Sequence, residues 1–462
     1  MINKTLGEIA MMCGGTVVHH RDRDKHISGV TTDSRHMTAG SLFVPLVGER
    51  FDGHKFAAQG LVEGAGATLW QRDHGAFPNP EGAVIAVDDT LEALQRLAKA
   101  YLHEIGCKII GITGSNGKTT TKDMVAALLE TTYKVHKTEG NFNNHIGLPL
   151  TILGMSEGVD IVVLEMGMSG RGEIEKLSSI AHPDVAIITN IGESHLLQLG
   201  SRQEIAAAKL EIVSGMKQGG LLIYNGDEPL IPHVLSESST VKDLKTFTFG
   251  FNSDNDDYPT GMMFHGKGII FTSYVHKELG LDLPLLGRHN VLNGLAALAV
   301  ARHFAVSEDN IREGLSHLKL TGMRIEPIVS ENGLTVLNDA YNASPTSVKA
   351  AIDVLQSMKG YRRKIAVLGD MLELGTQEAE YHTEIGKYIT TEKLDLLYTF
   401  GPLSSHTAKA AIANLHHSTV FAFTDKAELI HHLKENIDCK DIVLVKGSRG
   451  MKLEEVVNAL IE

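Results

Sequence analysis

The stretch Lys108-Ile-Ile-Gly-Ile-Thr-Gly-Ser-Asn-Gly-Lys-Thr-Thr-Thr-Lys122 decides the fold. Ile109, Ile110 and Ile112 predict a short buried strand that ends at Thr113. Gly114, Ser115, Asn116 and Gly117 do not extend a strand and predict a sharp turn. From Lys118 onward, Met124, Val125, Leu128 and Leu129 fall at helix spacing. Strand, glycine turn and helix N-terminus together make an anion site. Backbone N–H groups point out of such a turn, and the helix dipole adds to their field. Lys118 would answer the outer phosphates of a nucleotide, and the Thr119 hydroxyl stands where Mg²⁺ would bridge them. Gly114, Ser115, Asn116, Gly117 and Thr120 complete the cradle. The general pattern G-x-x-x-x-G-K-[ST] wants a glycine where Ile112 stands, and Gly111 comes one position early. The alternative is a glycine turn that caps a helix and binds nothing. A phosphate loop implies a nucleoside triphosphate; it does not say what is done with it.

Around this centre the chain has 462 residues, enough for about three domains of ordinary size. It is 43% hydrophobic and 21% charged, as expected of an ordinary soluble globular protein. A net charge of −13 argues against nucleic acid as a partner. Cys13, Cys107 and Cys439 are odd in number and far apart. They predict buried free thiols in a reducing cytoplasm rather than a disulfide framework or a cysteine metal site. Met1 to Gly14 carries Glu8 and lacks a long apolar run, so it does not read as a secretory signal. No apolar run is long enough to span a bilayer. A monomer is the default expectation.

Residues 1–105 read as a small α/β domain. Strands are predicted at Ile27–Thr31, Ser41–Val47 and Ala83–Val87, and helices at Leu6–Met12, Phe56–Gly64 and Leu91–Ile105. The loop Thr31-Thr32-Asp33-Ser34-Arg35 could hold a diphosphate or uracil through Arg35. It could also be a solvated turn with an Asp cap, which the residue types favour.

Residues 106–320 read as the nucleotide domain, a parallel sheet with helices. Asn141, Asn143 and Asn144 offer uncharged amides for a peptide or sugar, or form an Asn-rich turn before a helix. Val159–Gly167 is a continuous apolar strand ending in Glu165, whose carboxylate would face the ligand crevice and Mg²⁺. A strand at Val185–Thr189 leads to His195, again just past a strand end. In the predicted helix Arg202–Met216, Lys209 shares the apolar stripe of Ile205, Ile212 and Val213. Such a lysine either snorkels to water or is desolvated and neutral enough to react with CO₂. The resulting carbamate could hold a second Mg²⁺ beside Glu165 and His195. A strand is expected at Leu221–Tyr224. Short strands and hairpins follow over 246–286, with turns at Asn252–Asp257 and Gly266–Gly268. The helix opening at Gly287 places Asn290 and Asn293 one turn apart, to read an adenine edge; Asn290 could instead be its cap.

Residues 321–462 alternate strands and helices again, predicting a Rossmann-like doubly wound domain. Its strands are expected at Leu334–Asp339, Ile365–Gly369, Leu396–Phe400, Val420–Phe423 and Ile442–Lys446. Polar groups cluster at their ends: Asp339, Tyr341 and Asn342; Gly369 and Asp370; Lys446 to Arg449. Arg324, at the junction, could reach the nucleotide phosphates when the domains close. Each of these residues alone could serve as a surface or cap group.

Taken in order, T-G-S-N-G-K-T-T at 113–120, the strand ending in Glu165, N-I-G-E-S-H at 190–195 and A-K-L-E-I at 208–212 form a set. G-R-H-N-V-L-N at 287–293, G-M-R at 322–324 and L-N-D-A-Y-N-A-S-P at 337–345 extend it. The set resembles the ATP-dependent Mur ligases of bacterial peptidoglycan synthesis over nearly the whole chain. D-A-Y-N-A-S-P, G-N-F-N-N-H-I-G-L-P at 140–149 and G-D-M-L-E-L-G at 369–375 resemble the branch that adds D-alanyl-D-alanine. Ser344 departs from the Asn of that branch. The D-N-P-R motif of the step before it is not found.

The resemblance implies a ligase acting on UDP-N-acetylmuramoyl-tripeptide, D-alanyl-D-alanine and ATP through an acyl phosphate. By that transfer Lys118 binds phosphates, and Thr119, Glu165 and His195 organise Mg²⁺. Lys209 matches a lysine that is carbamylated in several members. Asn290 and Asn293 read adenine, and Arg324 and Asp339 reach phosphate and ribose. Ser34 and Arg35 hold the UDP end. Asn143, Asn144, Tyr341 and Asn342 are candidates for peptide contacts. The rival readings are another amino-acid-adding step of the same family, and a nucleotide-gated binding protein that turns over ATP without an amine.

Overall fold

The structure is a computed structural model that describes residues 1–49, 51–77, 79, 81–237, 243–266 and 268–462. Lys267, inside the expected Gly266–Gly268 turn, lies outside the described residues.

The strand Lys108–Thr113 is the pivot of a parallel sheet. Its Ile109, Ile110 and Ile112 are buried because helices cover both faces of the sheet. The strand order is Val135–Lys137, Ile161–Glu165, Lys108–Thr113, Val185–Ile188, Leu221–Asn225, Lys245–Phe249. Lys108–Thr113 therefore has Ile161–Glu165 on one side and Val185–Ile188 on the other, in parallel register with both. The chain crosses the sheet in opposite directions to reach these neighbours. Such a reversal leaves a crevice at the C-terminal strand ends. The hairpin region expected over 246–286 divides in two. Lys245–Phe249 joins the parallel sheet, while Pro259–His265, Gly268–Ser273 and Leu281–Leu283 form an antiparallel sheet.

The third domain repeats the logic. Thr335–Asp339, Ile442–Lys446, Lys364–Gly369, Leu396–Phe400 and Val420–Phe423 are parallel neighbours in that order. An antiparallel edge strand, Glu326–Val329, pairs with Thr335–Asp339. That strand is not legible in the sequence, since its Pro327 and three exposed side chains out of four lack a strand's alternation.

The first domain holds a mixed sheet in the order Thr16–Val17, Val84–Val87, Ala67–Gln71, Leu42–Phe43, Val30–Thr31. Ala67–Gln71, a buried central strand, has no counterpart in the sequence reading. The strand expected over Ile27–Thr31 is interrupted at Gly29, which has φ +84°. The one expected over Ser41–Val47 keeps Leu42–Phe43 and gives way before Pro45, which has no N–H for a ladder. The helix expected from Arg202 to Met216 is α-helical to Leu210 and tightens to a 3₁₀ turn over Glu211–Gly215.

The first and second sheets share one apolar cluster that runs from Ile2 to Ile231. The helix Thr90–Ile105 joins them: Leu94, Leu97, Ala98 and Tyr101 are buried, and the Tyr101 hydroxyl donates to Met155 O at 2.9 Å. The third sheet packs around clusters of its own. Its attachment to the second passes through Met323 and Ile325, both with positive φ, at 62° and 52°. A β-branched residue in this region is strained and marks a constrained junction.

Candidate active site

The phosphate loop emerges at the sheet reversal. Two of its positions require glycine. Gly114 has φ +147°, and a Cβ there would fall 1.8 Å from Thr189 Oγ1. Gly117 has φ +81°, and its Cβ would fall 2.6 Å from Asn293 Oδ1. The helix Lys118–Glu130 starts without a side-chain cap. Its first N–H groups thus face the crevice and suit an anion. Asn190 steadies the loop by accepting Ser115 N–H at its carbonyl, 3.0 Å, and Asn116 N–H at Oδ1, 2.9 Å. The Lys118 ammonium donates to Gly114 O at 2.7 Å. Thr120 lines the same cavity.

Glu165 stands at the end of its strand with both oxygens engaged. Oε2 accepts the Thr119 hydroxyl at 2.8 Å, and Oε1 accepts Asn143 Nδ2 at 2.8 Å. Asn143 therefore orients the carboxylate. Asn144 shapes the turn before the helix Gly147–Leu153: its Oδ1 accepts the N–H groups of Ile146 and Gly147 at 3.1 and 2.8 Å. His195 and Lys209 line the cavity beside Glu165. Lys209 is 2% exposed and makes no ion pair or hydrogen bond to a described residue. Burial, reinforced by the Lys118 charge, pushes its ammonium far below the ordinary lysine range. Burial also lowers Lys118, with Glu165 opposing and Arg324 adding to the effect. His195 is lowered by burial, against Glu373 and with Lys209 and Lys118.

Asn290 and Asn293 are both buried in the cavity wall. The residue that caps the helix His289–His303 is Arg288, without a side-chain bond, so Asn290 is not the cap. Asn290 Nδ2 donates to Leu286 O at 2.8 Å, and Asn293 Nδ2 donates to Asn290 Oδ1 at 2.9 Å. Asn293 Oδ1 accepts the Thr121 hydroxyl at 3.3 Å. The pair thus ties its helix to the phosphate-loop helix.

The third domain closes the cavity. Arg324 Nη2 donates to Thr119 Oγ1 at 3.2 Å, and its guanidinium lies 4.3 Å above the Tyr341 ring. Asp339 Oδ2 is 2.6 Å from Lys446 Nζ, which also donates to Asn342 O at 2.9 Å. Ser344 caps the helix Pro345–Ser357, and its hydroxyl donates to Asn116 Oδ1 at 3.3 Å. Thr346 Oγ1 donates to Glu193 Oε2 at 2.7 Å. These contacts enclose a cavity of about 400 Å³.

Ser34 and Arg35 do not line that cavity. Arg35 is exposed and clasps Asp33, with Nε and Nη2 at 2.9 and 2.7 Å from its oxygens. The guanidinium holds the Asp33 carboxyl well below the usual carboxylate range. The loop is thus the solvated Asp turn in this structure.

Two residues that line the cavity, Lys446 and His289, carry no role in the sequence reading, nor does Glu373, which contacts His195 from outside the cavity lining. Lys446 was visible only as a polar residue after a strand. His289 lines the cavity, and burial pushes its imidazole below the ordinary histidine value, with Asp339 opposing. Glu373 lies 2.7 Å from His195 Nδ1.

Comparison with known proteins agrees with this geometry. Residues 112–301 match the Mur ligase middle domain, and residues 323–449 match the Mur ligase glutamate ligase domain. Residues 26–102 match the Mur ligase family catalytic domain. The UDP-N-acetylmuramoyl-tripeptide–D-alanyl-D-alanine ligase of Bacillus subtilis (strain 168) is 50% identical over 471 residues, covering 100% of this chain and 99% of that one. The crystal structure of MurF from Acinetobacter baumannii superposes with a TM-score of 0.89 at 30% identity, covering 100% and 99% of the two chains. MurF ligase from Thermotoga maritima, solved in complex with ADP, superposes with a TM-score of 0.81 at 29% identity, covering 94% and 96%. With all three Mur ligase domains matched along the chain, and the second and third meeting at the phosphate-loop cavity, the chain belongs to the Mur ligase family.

Proposed function

We propose that this chain is the ATP-dependent ligase that joins D-alanyl-D-alanine to UDP-N-acetylmuramoyl-tripeptide, releasing ADP and phosphate. One observation carries the reading. A phosphate loop with Lys118 on one side and Arg324 and Lys446 of the third domain on the other face a single cavity. A carboxylate is a poor electrophile until phosphorylated. Phosphoryl transfer from ATP to the terminal tripeptide carboxylate gives an acyl phosphate and ADP. The dipeptide amine then attacks the acyl carbon, phosphate leaves, and the amine proton is lost. Both steps gather negative charge where the cations converge, and fixed cations in a water-poor site stabilise it without reorganisation.

The donor set suits a hard divalent cation: a threonine hydroxyl, a buried carboxylate and an imidazole stand beside the phosphate loop. Thr119, Glu165 and His195 would hold Mg²⁺, and Lys209 would join them as a carbamate. When bound, the ion neutralises phosphate oxygens so that another electron-rich group can approach. Asn143 keeps the Glu165 carboxylate turned into the cavity, and Lys118 screens the outer phosphates. Asn290 and Asn293 would border the adenine, and Asp339, set by Lys446, the ribose. Tyr341 supports the Arg324 plane. Ser34 and Arg35 would hold the UDP end, with Arg35 exchanging Asp33 for a phosphate. Asn144 and Asn342 would contact the peptide. The working division is 1–105 for the UDP-substrate domain, 106–320 for the ATP domain and 321–462 for the third. No helix among the described residues is long and apolar enough to cross a membrane. We assign the enzyme to the cytoplasm, as a monomer.

Phosphate release from ATP, measured with UDP-N-acetylmuramoyl-tripeptide and with or without D-alanyl-D-alanine, tests the reading. Release that needs both, with a UDP-pentapeptide identified by mass, is expected. Release with another amine in place of the dipeptide moves the enzyme to a different ligase step. Release that needs neither substrate overturns the ligase reading.

A further inference from the structure

We propose that Glu373 is a positioning residue for His195, so that docking of the third domain completes the cation-binding face of the central one. The inference rests on the ligase reading above. Glu373 belongs to G-D-M-L-E-L-G at 369–375, a motif to which nothing above assigns a role. Its Oε2 lies 2.7 Å from His195 Nδ1. Nδ1 is buried and makes no hydrogen bond to a described residue. The pair is thus an electrostatic contact at hydrogen-bonding distance.

Three further observations show that the approach is built. First, both residues adopt left-handed backbone, with φ 66° at His195 and 64° at Glu373. Strain of that kind in non-glycine residues persists only where the surroundings impose it. Second, the two loops are joined through the backbone: Leu197 N–H donates to Glu373 O at 3.0 Å. Third, the Glu373 loop is anchored to its own domain. Met371 N–H donates to His382 Nε2 at 3.0 Å, and Leu372 N–H donates to Ser448 Oγ at 2.9 Å.

The chemistry follows from the imidazole. A carboxylate at Nδ1 makes that nitrogen the proton carrier and leaves the Nε2 lone pair free. Nε2 makes no hydrogen bond to a described residue. A carboxylate behind a ligating histidine fixes ring and tautomer together. Because Glu373 arrives with the third domain, the histidine is set when the domains meet. Glu373 is half-exposed, so truncating its side chain strands no buried charge and leaves the fold intact.

The test is a double-mutant cycle read by Mn²⁺ binding. Electron paramagnetic resonance titration gives Mn²⁺ affinity for the full chain with β,γ-methylene-ATP. Glu373→Ala is expected to weaken Mn²⁺ about tenfold or more, the usual cost of removing such a supporting group. Glu373→Gln, whose amide oxygen still accepts a hydrogen bond, weakens it less. In a His195→Ala background, Glu373→Ala brings no further loss, because its effect passes through the imidazole. Thermal melting of each variant, close to that of the unsubstituted chain, excludes a folding defect. An unchanged Mn²⁺ affinity in Glu373→Ala, or a full additional loss in the double variant, overturns the proposal. The ligase reading fails separately, if the unsubstituted chain forms no dipeptide-dependent product.

Discussion

Arg324 Nη2 reaches across the domain junction to Thr119 Oγ1 at 3.2 Å, the same oxygen that donates its proton to Glu165 Oε2 at 2.8 Å. One hydroxyl thus links the phosphate loop, the strand-end carboxylate and the third domain. The Arg324 Nε atom is buried without a hydrogen bond to a described residue, and its guanidinium plane rests on Tyr341. Such a group is poised for an oxygen that appears with the phosphates. Arg324→Ala should lower kcat about 10²- to 10³-fold, the cost of deleting a donor aimed at developing charge. Nucleotide affinity should change far less. Arg324→Lys should not restore kcat, since an ammonium lacks the stacked planar fork. Steady-state kinetics with a separate nucleotide-binding titration checks both.

Lys209 is the other group whose state the site must settle. An ammonium buried without a partner among the described residues is costly, and the lowered basicity favours the neutral amine, whose nitrogen attacks the carbon of CO₂ and then loses a proton to leave the carbamate. Lys209→Ala should lose most ligase activity and regain part of it with added short carboxylates. Carbon-13 bicarbonate should give a carbamate resonance in the unsubstituted chain and none in Lys209→Ala. Full activity of Lys209→Ala would end the carbamate reading.

Much of the fold is legible in the chain because parallel strands covered on both faces are uninterrupted apolar runs. Ile161–Glu165 and Ile442–Lys446 are such runs, and each ends in the charged residue that enters the site. Lys209 is legible for a related reason, as a charge on an apolar helical stripe. Ala67–Gln71 is not, because Ala, Thr and Gln dilute its apolar signal, although neighbours bury it. Partnerships are harder still. That Asn143 serves Glu165, that Asp339 faces Lys446 and that Glu373 meets His195 depends on sheet register and domain docking. Local spacing holds no record of these. The Ser34–Arg35 loop shows the converse: its own residues satisfy one another through Asp33 without any ligand.

The Asp339–Lys446 pair separates stability from function. The two are register partners on adjacent strands, 7% and 3% exposed, and their charges are 2.6 Å apart. Lys446→Met leaves a buried carboxylate unpaired and should cost about 3–5 kcal/mol of unfolding free energy. Lys446→Met combined with Asp339→Asn should recover much of that stability, because no lone charge remains buried. Ligase activity should stay low in the double variant if the pair also faces substrate. Denaturant unfolding beside turnover assays gives the answer; recovery of both would make the pair purely structural.

His382 ties the loop that carries Glu373 to pH, since its imidazole accepts the Met371 N–H. His382 is 1% exposed, donates from Nδ1 to Glu378 O at 2.7 Å, and accepts Met371 N–H at Nε2, 3.0 Å. The ring must therefore be neutral, and a proton on Nε2 would face an N–H group. Burial lowers the His382 imidazole below the ordinary value, with the Glu378 carbonyl opposing. The unfolded chain then takes up the proton first as pH falls. The contribution of His382 to stability is full above about pH 6.5, the unfolded histidine value. It is lost progressively below that, toward the depressed native value. One such group adds at most about 1.4 kcal/mol of destabilisation per pH unit. His54, His136 and His303 are lowered by burial as well and steepen the same fall. His382→Gln, which can still accept the Met371 N–H, should be less stable at pH 7.5 but lose less on going from pH 6.5 to 5. Thermal melts at both ends of that window compare the slopes. Parallel slopes for the two proteins would show that His382 does not carry a proton-linked share.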